Sequence, residues 1–212
     1  MEYWKYVLTA VLAYLLGNVQ FAVILSKWVY HDDVRKHGSG NAGSTNMIRV
    51  FGLKPGLITF AGDFLKGVIS VLLGRYIAGE TGAYIAALFT VLGHDFPAFM
   101  QFKGGKGVAS TFGVAWALNP VFAAVITAYA AVMLYATRTV SIVSLTGVLL
   151  YLILTLIFQP QNTGMILLVA VLLALMYIRH IENIRRILKG QESKLFEKKK
   201  DKDKDTNYST SK

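Results

Sequence analysis

Lys106 stands between glycines in the run Phe102-Lys103-Gly104-Gly105-Lys106-Gly107-Val108-Ala109-Ser110, immediately ahead of an apolar stretch. A lysine held this way at the mouth of a helix can bring its ammonium and the helix's unpaired N–H groups onto one oxyanion. It is not a Walker A loop, because Gly107, and not Ser or Thr, follows the lysine. A second run, His37-Gly38-Ser39-Gly40-Asn41-Ala42-Gly43-Ser44-Thr45-Asn46-Met47-Ile48-Arg49, packs three glycines into six residues. Such a backbone can turn its N–H groups toward one point, with Ser39, Asn41, Asn46 and Arg49 adding donors, which is how phosphate is held. Gly38, Gly40 and Gly43 also fit G-x-G-x-x-G. No strand precedes them and no alternating α/β pattern surrounds them, so a dinucleotide site is set aside.

Two further clusters complete the set. Arg138-Thr139-Val140-Ser141-Ile142-Val143-Ser144 puts Ser141 and Ser144 on one helical face, where serines serve a ligand or bond their own backbone. Arg179-His180-Ile181-Glu182-Asn183 places His180 and Asn183 together at the end of the last apolar segment. Asp63 and Lys66, at i and i+3 inside another apolar segment, read as a buried pair bracing the polar loops. The chain has no cysteine, which excludes disulfides, thiolate metal sites and a cysteine nucleophile. Its four histidines do not pair at ligand spacing, so neither a metal nor another cofactor is expected.

These clusters must be carried by membrane helices. The 212 residues are 54% hydrophobic, with a mean hydropathy of +0.48. Windows at 4–29, 56–78, 82–102, 107–119, 120–137, 140–158 and 163–179 meet or approach the roughly 20 apolar residues of a spanning helix. The expected fold is therefore an all-α, polytopic transmembrane helical bundle of about seven spans. A re-entrant hairpin around Asn119-Pro120 would make it about five. The first window is too long for a removable signal peptide and lacks a small-residue cleavage site. Lys and Arg gather in alternate connections (Lys27, Arg35, Lys36, Arg49 and Lys54, then Lys103 and Lys106, then Arg138), which puts the N-terminus outside and the C-terminus inside. The net charge is +10, and residues 179–212 hold 11 Lys/Arg against 6 Asp/Glu. A basic tail directly after an apolar segment faces anionic lipid, and nothing in the pattern suits nucleic acid. The organisation expected is a transmembrane catalytic domain at 1–180, a juxtamembrane amphipathic helix at 181–196 and a disordered basic tail at 197–212.

Taken in order, Gly38-Ser39-Gly40-Asn41, Thr45-Asn46 and Arg49, then His94, Pro97 and Phe102 through Ala109, then Ser141 and Ser144, then His180, Asn183-Ile184, Arg186 and Gly190 resemble the bacterial acyl-phosphate-dependent glycerol-3-phosphate acyltransferase family. The likeness runs over about 4–196. It implies a small enzyme of the bacterial inner membrane, its site facing the cytoplasm, that moves a fatty acyl group from acyl phosphate to glycerol 3-phosphate in phospholipid synthesis. The product is lysophosphatidic acid. A soluble enzyme supplying the acyl phosphate is implied as a functional partner. The resemblance assigns catalysis to Ser39, Arg49, Lys106, Ser144, His180 and Asn183. Around them it implies substrate contacts from Gly38, Gly40, Asn41, Asn46, Gly104, Gly105, Gly107, Arg138 and Ser141. Lys106 and Arg49 would bind phosphate charge, Ser39 and Ser144 would add donors, and His180, held by Asn183, would bind or deprotonate the glycerol hydroxyl. Ser44 and Ser110 depart from the family's usual Ala and Thr at supporting positions. Acyltransferases using acyl-CoA or acyl carrier protein carry a His followed five residues on by Asp, whereas His31, His37, His94 and His180 are followed there by Lys36, Ala42, Phe99 and Arg185. The competing expectation is a transporter or exchanger of a phosphorylated solute, whose site would lie near the bilayer midplane between repeats.

Overall fold

The computed structural model describes residues 2–195, and every regular element among them is helical. The helices are α1 (Tyr3–Gly17), α2 (Phe21–Val29), α3 (Ser44–Phe51), α4 (Leu53–Asp95), α5 (Val108–Leu118), α6 (Pro120–Thr137), α7 (Val140–Phe158), α8 (Thr163–Arg179) and α9 (Ile181–Leu188). The expected tail at 197–212 lies outside the described residues. By length and apolarity four stretches qualify as membrane spans: Tyr3–Val29, Leu53–Met100, Pro120–Thr137 and Val140–Phe158. A fifth is added if α8 and α9, bent by 63° at their junction, form one broken span.

α4 is a hairpin of two antiparallel limbs. Ala78 and Gly79 leave helical geometry, Gly79 with φ of 65°. A straight helix would hold Lys66 and His94 about 40 Å apart, yet Lys66 Nζ lies 2.7 Å from His94 Nδ1. Ser70 Oγ and Thr90 Oγ1 likewise meet at 2.5 Å. Gly74 and Gly82 let the limbs touch near the turn, since a Cβ on Gly74 would stand 2.4 Å from the Gly82 carbonyl oxygen. The limbs coincide with the apolar windows 56–78 and 82–102, although the second ends at Asp95, where Phe96 and Pro97 turn the chain.

The first window, 4–29, is broken between α1 and α2, and Lys66 explains the break. Its ammonium, paired with Asp63 at 2.9 Å, also donates to the Gly17 and Val19 carbonyls at 3.1 and 2.7 Å. Carbonyls freed by an interrupted helix thus satisfy a buried cation. Ala83, Ala86 and Ala87 are fully buried while Val132, Tyr135, Ile157 and Leu167 are exposed. Small residues inside and large apolar ones outside is the packing of helices in lipid.

Polar features divide between the bundle's two ends. At one end Arg75 pairs with Glu80 at 3.1 Å, Tyr84 bonds Asn162, and Asn119 caps α6 by accepting from the Phe122 N–H at 3.1 Å. Pro120 at the first turn of α6 completes that stop and start. Pro120 therefore separates two consecutive helices, of which α5 is the short one. The opposite end carries the two glycine-rich loops, the α7 serines and the His180–Asn183 cluster.

Candidate active site

The 37–49 run is a loop followed by a helix, because α3 begins at Ser44. Asn46, on that helix, shapes the loop from within. Its Nδ2 reaches the Val34, His37 and Asn41 carbonyls at 3.0, 3.1 and 3.1 Å, and its Oδ1 accepts from the Ser39 N–H at 2.9 Å. Gly38 adopts φ of +58°, and a Cβ there would stand 2.3 Å from Asn46 Oδ1. Asn46 thus organises the loop, and Ser39 and Arg49 are what it presents.

The 104–107 loop is gripped from α8. Arg179 donates to the Gly104 carbonyl at 3.3 Å and to the Gly105 carbonyl at 3.2 and 2.8 Å, while stacking 5.0 Å over Phe96. These carbonyls have a cationic partner and do not repel an anion approaching Lys106. Gly107, with φ of 69°, then opens α5. Lys106 Nζ donates to Asn183 Oδ1. Burial, helped by the charge of Arg186 and only partly offset by Glu192, pushes the Lys106 ammonium down to about 8.

Asn183 is the hub between elements. Its Nδ2 donates to Ser141 Oγ at 2.8 Å and to Glu192 Oε1 at 2.5 Å. Ser141 Oγ donates to the same carboxylate oxygen at 2.6 Å, and Arg186 Nε donates to the other at 2.7 Å. Burial opposes charge on Glu192, but these bonds from Ser141, Asn183 and Arg186 hold its carboxyl below the ordinary value. Arg49 Nη2 donates to the Ser193 carbonyl at 3.1 Å.

His180 is not held by Asn183. Its Nδ1 lies 2.8 Å from the Met176 carbonyl, so Nδ1 carries the proton and Nε2 is left as an acceptor. Burial, with the Lys106 charge, pushes the imidazole down to about 4, so it is neutral at physiological pH.

Ser39, Arg49, Lys106, Ser141, His180 and Asn183 all line one cavity of about 120 Å³, with Asp63, His94 and Phe60 also on its walls. Asn41 and Asn46 reach it as well. Ser144 does not. Its hydroxyl donates to the Val140 carbonyl at 2.8 Å, the bond to the preceding turn that helical serines favour. Arg138 is exposed, and its contribution is a backbone one, a carbonyl accepting from the Leu195 N–H at 2.8 Å. A wider outer cavity of about 680 Å³ shares Ser39 and Lys106 with the first and is bordered by Gly40, Gly104, Lys36, Lys103, Arg179 and Arg186. Its lining is mainly basic, with Asp33 and Glu182 as the acidic exceptions, a balance that favours the approach of an anion.

Glu192 escaped the sequence reading, and Arg179 and Arg186, although part of the motifs, were given no role there. Of the amphipathic helix expected over 181–196, the described residues, which end at 195, are helical only at Ile181–Leu188. Gly190, with φ of 65°, turns the chain back so that Glu192, Ser193 and Leu195 cover the site. The available signal was an acid two residues past a glycine inside an otherwise basic segment.

Comparison with known proteins identifies the family. A model of the family described as glycerol-3-phosphate acyltransferase matches residues 7–190. A glycerol-3-phosphate acyltransferase of Thermoanaerobacter pseudethanolicus is 43% identical over 192 residues, covering 91% of this chain and 96% of the relative. One from Clostridioides difficile is 38% identical over 205 residues, covering 94% and 100%. The crystal structure of PlsY, an integral membrane glycerol 3-phosphate acyltransferase, in its glycerol 3-phosphate form superposes with a TM-score of 0.85 at 34% identity, covering 89% of this chain and 94% of that one. Its lysophosphatidic acid form gives 0.81. The chain belongs to the glycerol-3-phosphate acyltransferase family.

Proposed function

We propose that this protein transfers a fatty acyl group from acyl phosphate to glycerol 3-phosphate, releasing lysophosphatidic acid and inorganic phosphate, at the cytoplasmic face of a bacterial inner membrane. The observation that carries the reading is the convergence of Arg49, Lys106, Ser141, His180 and Asn183, drawn from four separated segments, on one cavity at one end of an apolar bundle. Acyl phosphate is a mixed anhydride and needs no covalent enzyme intermediate. Two phosphates must be held side by side and a hydroxyl aimed at the carbonyl, which is positioning and electrostatic work.

Arg49 and Lys106 hold phosphate charge, with Ser39 adding a donor and Ser141 adding one when phosphate replaces Glu192 as the acceptor of its hydroxyl proton. Ser141 takes the role that the motif gave to Ser144, because Ser141 lines the cavity and Ser144 bonds its own helix. His180 accepts from the glycerol hydroxyl at Nε2. An imidazole titrating near 4 is a weak base, whereas the phosphate oxygen released as the carbon–oxygen bond breaks gains a full negative charge and is a far stronger one. The hydroxyl oxygen attacks the acyl carbon, the carbon–oxygen bond to phosphate breaks, and the departing phosphate takes the proton. Neutral His180 aims the hydroxyl without having to keep its proton.

The bundle is proposed to cross the membrane about seven times, counting both limbs of α4 and the short α5. Residues 1–180 form the catalytic domain and α9 lies along the inner surface. A soluble enzyme delivers the acyl phosphate.

Purified protein in detergent is given labelled glycerol 3-phosphate with palmitoyl phosphate or with palmitoyl-CoA. Lysophosphatidic acid is expected only with the first; product only with the second would overturn the donor. Because the chain has no cysteine, a single one placed at Lys103 reports orientation, and labelling from outside intact cells would overturn the cytoplasmic placement.

A further inference from the structure

One apolar segment at the site's end of the bundle has no task in the reaction as described. Between Asp95 and Lys103 the chain reads Phe96-Pro97-Ala98-Phe99-Met100-Gln101-Phe102, without a charge, and Phe99 and Phe102 stand 79% and 61% exposed. We propose that this loop is an interaction surface for lipid, dipping into the inner leaflet with Phe99 and Phe102 at the boundary between acyl chains and headgroups. It thereby holds the adjoining Lys106 loop at that depth. The inference rests on the cytoplasmic placement above and not on the identity of the acyl donor.

Depth follows from helix length. The second limb of α4 runs from Glu80, paired with Arg75 at the outer end, to Asp95, about 24 Å at 1.5 Å per residue. A hydrocarbon core is about 30 Å thick, and tilt only shortens the reach of a helix across it. With charged Glu80 outside the core, Asp95 stops about 6 Å or more short of the inner edge. The chain must cover that remainder as a loop, and the stretch apolar enough to span does continue past the helix to Met100. α5 agrees, since Val108–Leu118 reaches only about 16 Å back toward the outer end, which leaves the Gly104–Gly107 loop recessed as well. A loop built to dock a soluble protein would have to stand clear of the bilayer, and a limb of this length does not allow it.

The backbone is folded for such surroundings. Away from water a chain must satisfy its own polar groups. The Phe96 N–H donates to the Leu92 carbonyl, those of Met100 and Phe102 to Pro97, that of Lys103 to Met100 and that of Gly105 to His94, all at 2.8–3.1 Å. Closing these bonds puts Gln101 and Phe102 in the left-handed region, with φ of 54° and 59°, which a bulky side chain rarely adopts. The two phenyls are what that fold displays, and Lys103 follows them as the first charge. Exposed aromatics ended by a lysine suit the headgroup level of an anionic leaflet. Phe102 also borders the outer cavity with Lys36 and Lys103. The rim of that cavity therefore lies among headgroups, where a phosphate carried on an acyl chain reaches Lys106 without its tail leaving the bilayer.

The chain has no cysteine, so Phe99→Cys, Phe102→Cys and Lys103→Cys each give one site for the fluorophore NBD in the full-length protein, reconstituted in nanodiscs containing anionic phospholipid. At 99 and 102 the emission is expected to shift to the blue, to be quenched by lipid with a doxyl group near the top of its acyl chain, and to resist aqueous iodide. At 103 the order should reverse. Iodide quenching at 99 and 102 as strong as at 103, without quenching by doxyl lipid, would place the loop in water as a protein-docking surface and overturn the proposal. If a cysteine variant does not fold, the wild-type chain decides. Photolysis of a phospholipid bearing a diazirine near the top of its acyl chain should leave adducts within 96–102. Adducts at the lipid-facing Val132 and Tyr135, which are 67% and 88% exposed on α6, with none in the loop would overturn it. Nanodiscs present both leaflets, so neither result depends on sidedness, and labelling of the Lys103 position from outside intact cells would sink the cytoplasmic placement alone.

Discussion

Lys106 is buried beside three arginines and one carboxylate, and its ammonium is pushed down to about 8, which makes substrate capture titratable. Below that value the lysine is charged and binds phosphate; as pH rises through it, the charge is lost and the empty site weakens. The protonated fraction falls from about nine-tenths at pH 7 to about one-tenth at pH 9, so kcat/KM for glycerol 3-phosphate should fall about tenfold across that window, about 1.4 kcal/mol. The substrate adds no slope, since a phosphate monoester titrating near pH ~6 is already doubly charged. In the complex the bound phosphate raises Lys106 again, so kcat at saturation should stay flat. Initial rates with labelled glycerol 3-phosphate at constant ionic strength measure both, the first with palmitoyl phosphate well below saturation and the second with both substrates saturating. Lys106→Met should have uniformly weak kcat/KM with no slope. A flat wild-type profile between pH 7 and 9, or the same slope in the Met variant, would refute the assignment of that charge to phosphate binding.

The two serines of α7 separate by function. Ser141→Ala should lower kcat/KM by about 10- to 100-fold, the loss of a donor to a charged ligand, while Ser144→Ala should stay within about twofold of wild type. Equal effects in steady-state kinetics would contradict the placement of Ser141 at the cavity and of the Ser144 hydroxyl on its own helix. Glu192→Ala removes the acceptor shared by Ser141, Asn183 and Arg186. It is expected to cost about 100-fold in kcat/KM for glycerol 3-phosphate, and an unchanged value in the same assay would mean that the strap after Gly190 does not order the site.

The loops were legible because glycine and lysine in close order have few uses, and the helix boundary at Asn119-Pro120 because capping is local chemistry. The serines show the limit. Ser141 and Ser144 share a helical face, so spacing alone could not separate them, and the choice turned on which hydroxyl had the Val140 carbonyl within reach. Glu192 was invisible for a different reason. Its role depends on a turn at Gly190 that sends the chain back over the bundle, and amphipathic periodicity through 181–195 argues for continuing the helix instead. Asp63 and Lys66 were recognisable as a pair. Their further partners, two carbonyls at the α1–α2 break and a ring at the far end of α4, are long-range contacts that no local pattern encodes.

The location of the site follows from the two halves of its proposed donor. A phosphate cannot be drawn into hydrocarbon without a large desolvation penalty, and a fatty chain leaves hydrocarbon only at about 0.8 kcal/mol per methylene. The reacting carbonyl joins them, so it is restricted to a plane near the membrane surface, and the protein must offer cations on one side and an apolar wall on the other. Arg49, Lys106 and Arg186 supply the first. The second continues from Phe60 into an aromatic cluster, with Phe60, Phe64 and Phe112 at centroid separations of 5.7–6.3 Å between the first limb of α4 and α5. Gly67 and Gly113 allow that approach: a Cβ on Gly113 would stand 2.0 Å from the Phe64 carbonyl oxygen, and one on Gly67 would stand 2.4 Å from that of Ser110. The same glycines that bring α5 against α4 thereby set the distance between the Lys106 loop and the His94 floor, so helix packing in the membrane fixes the spacing of the charges at its surface.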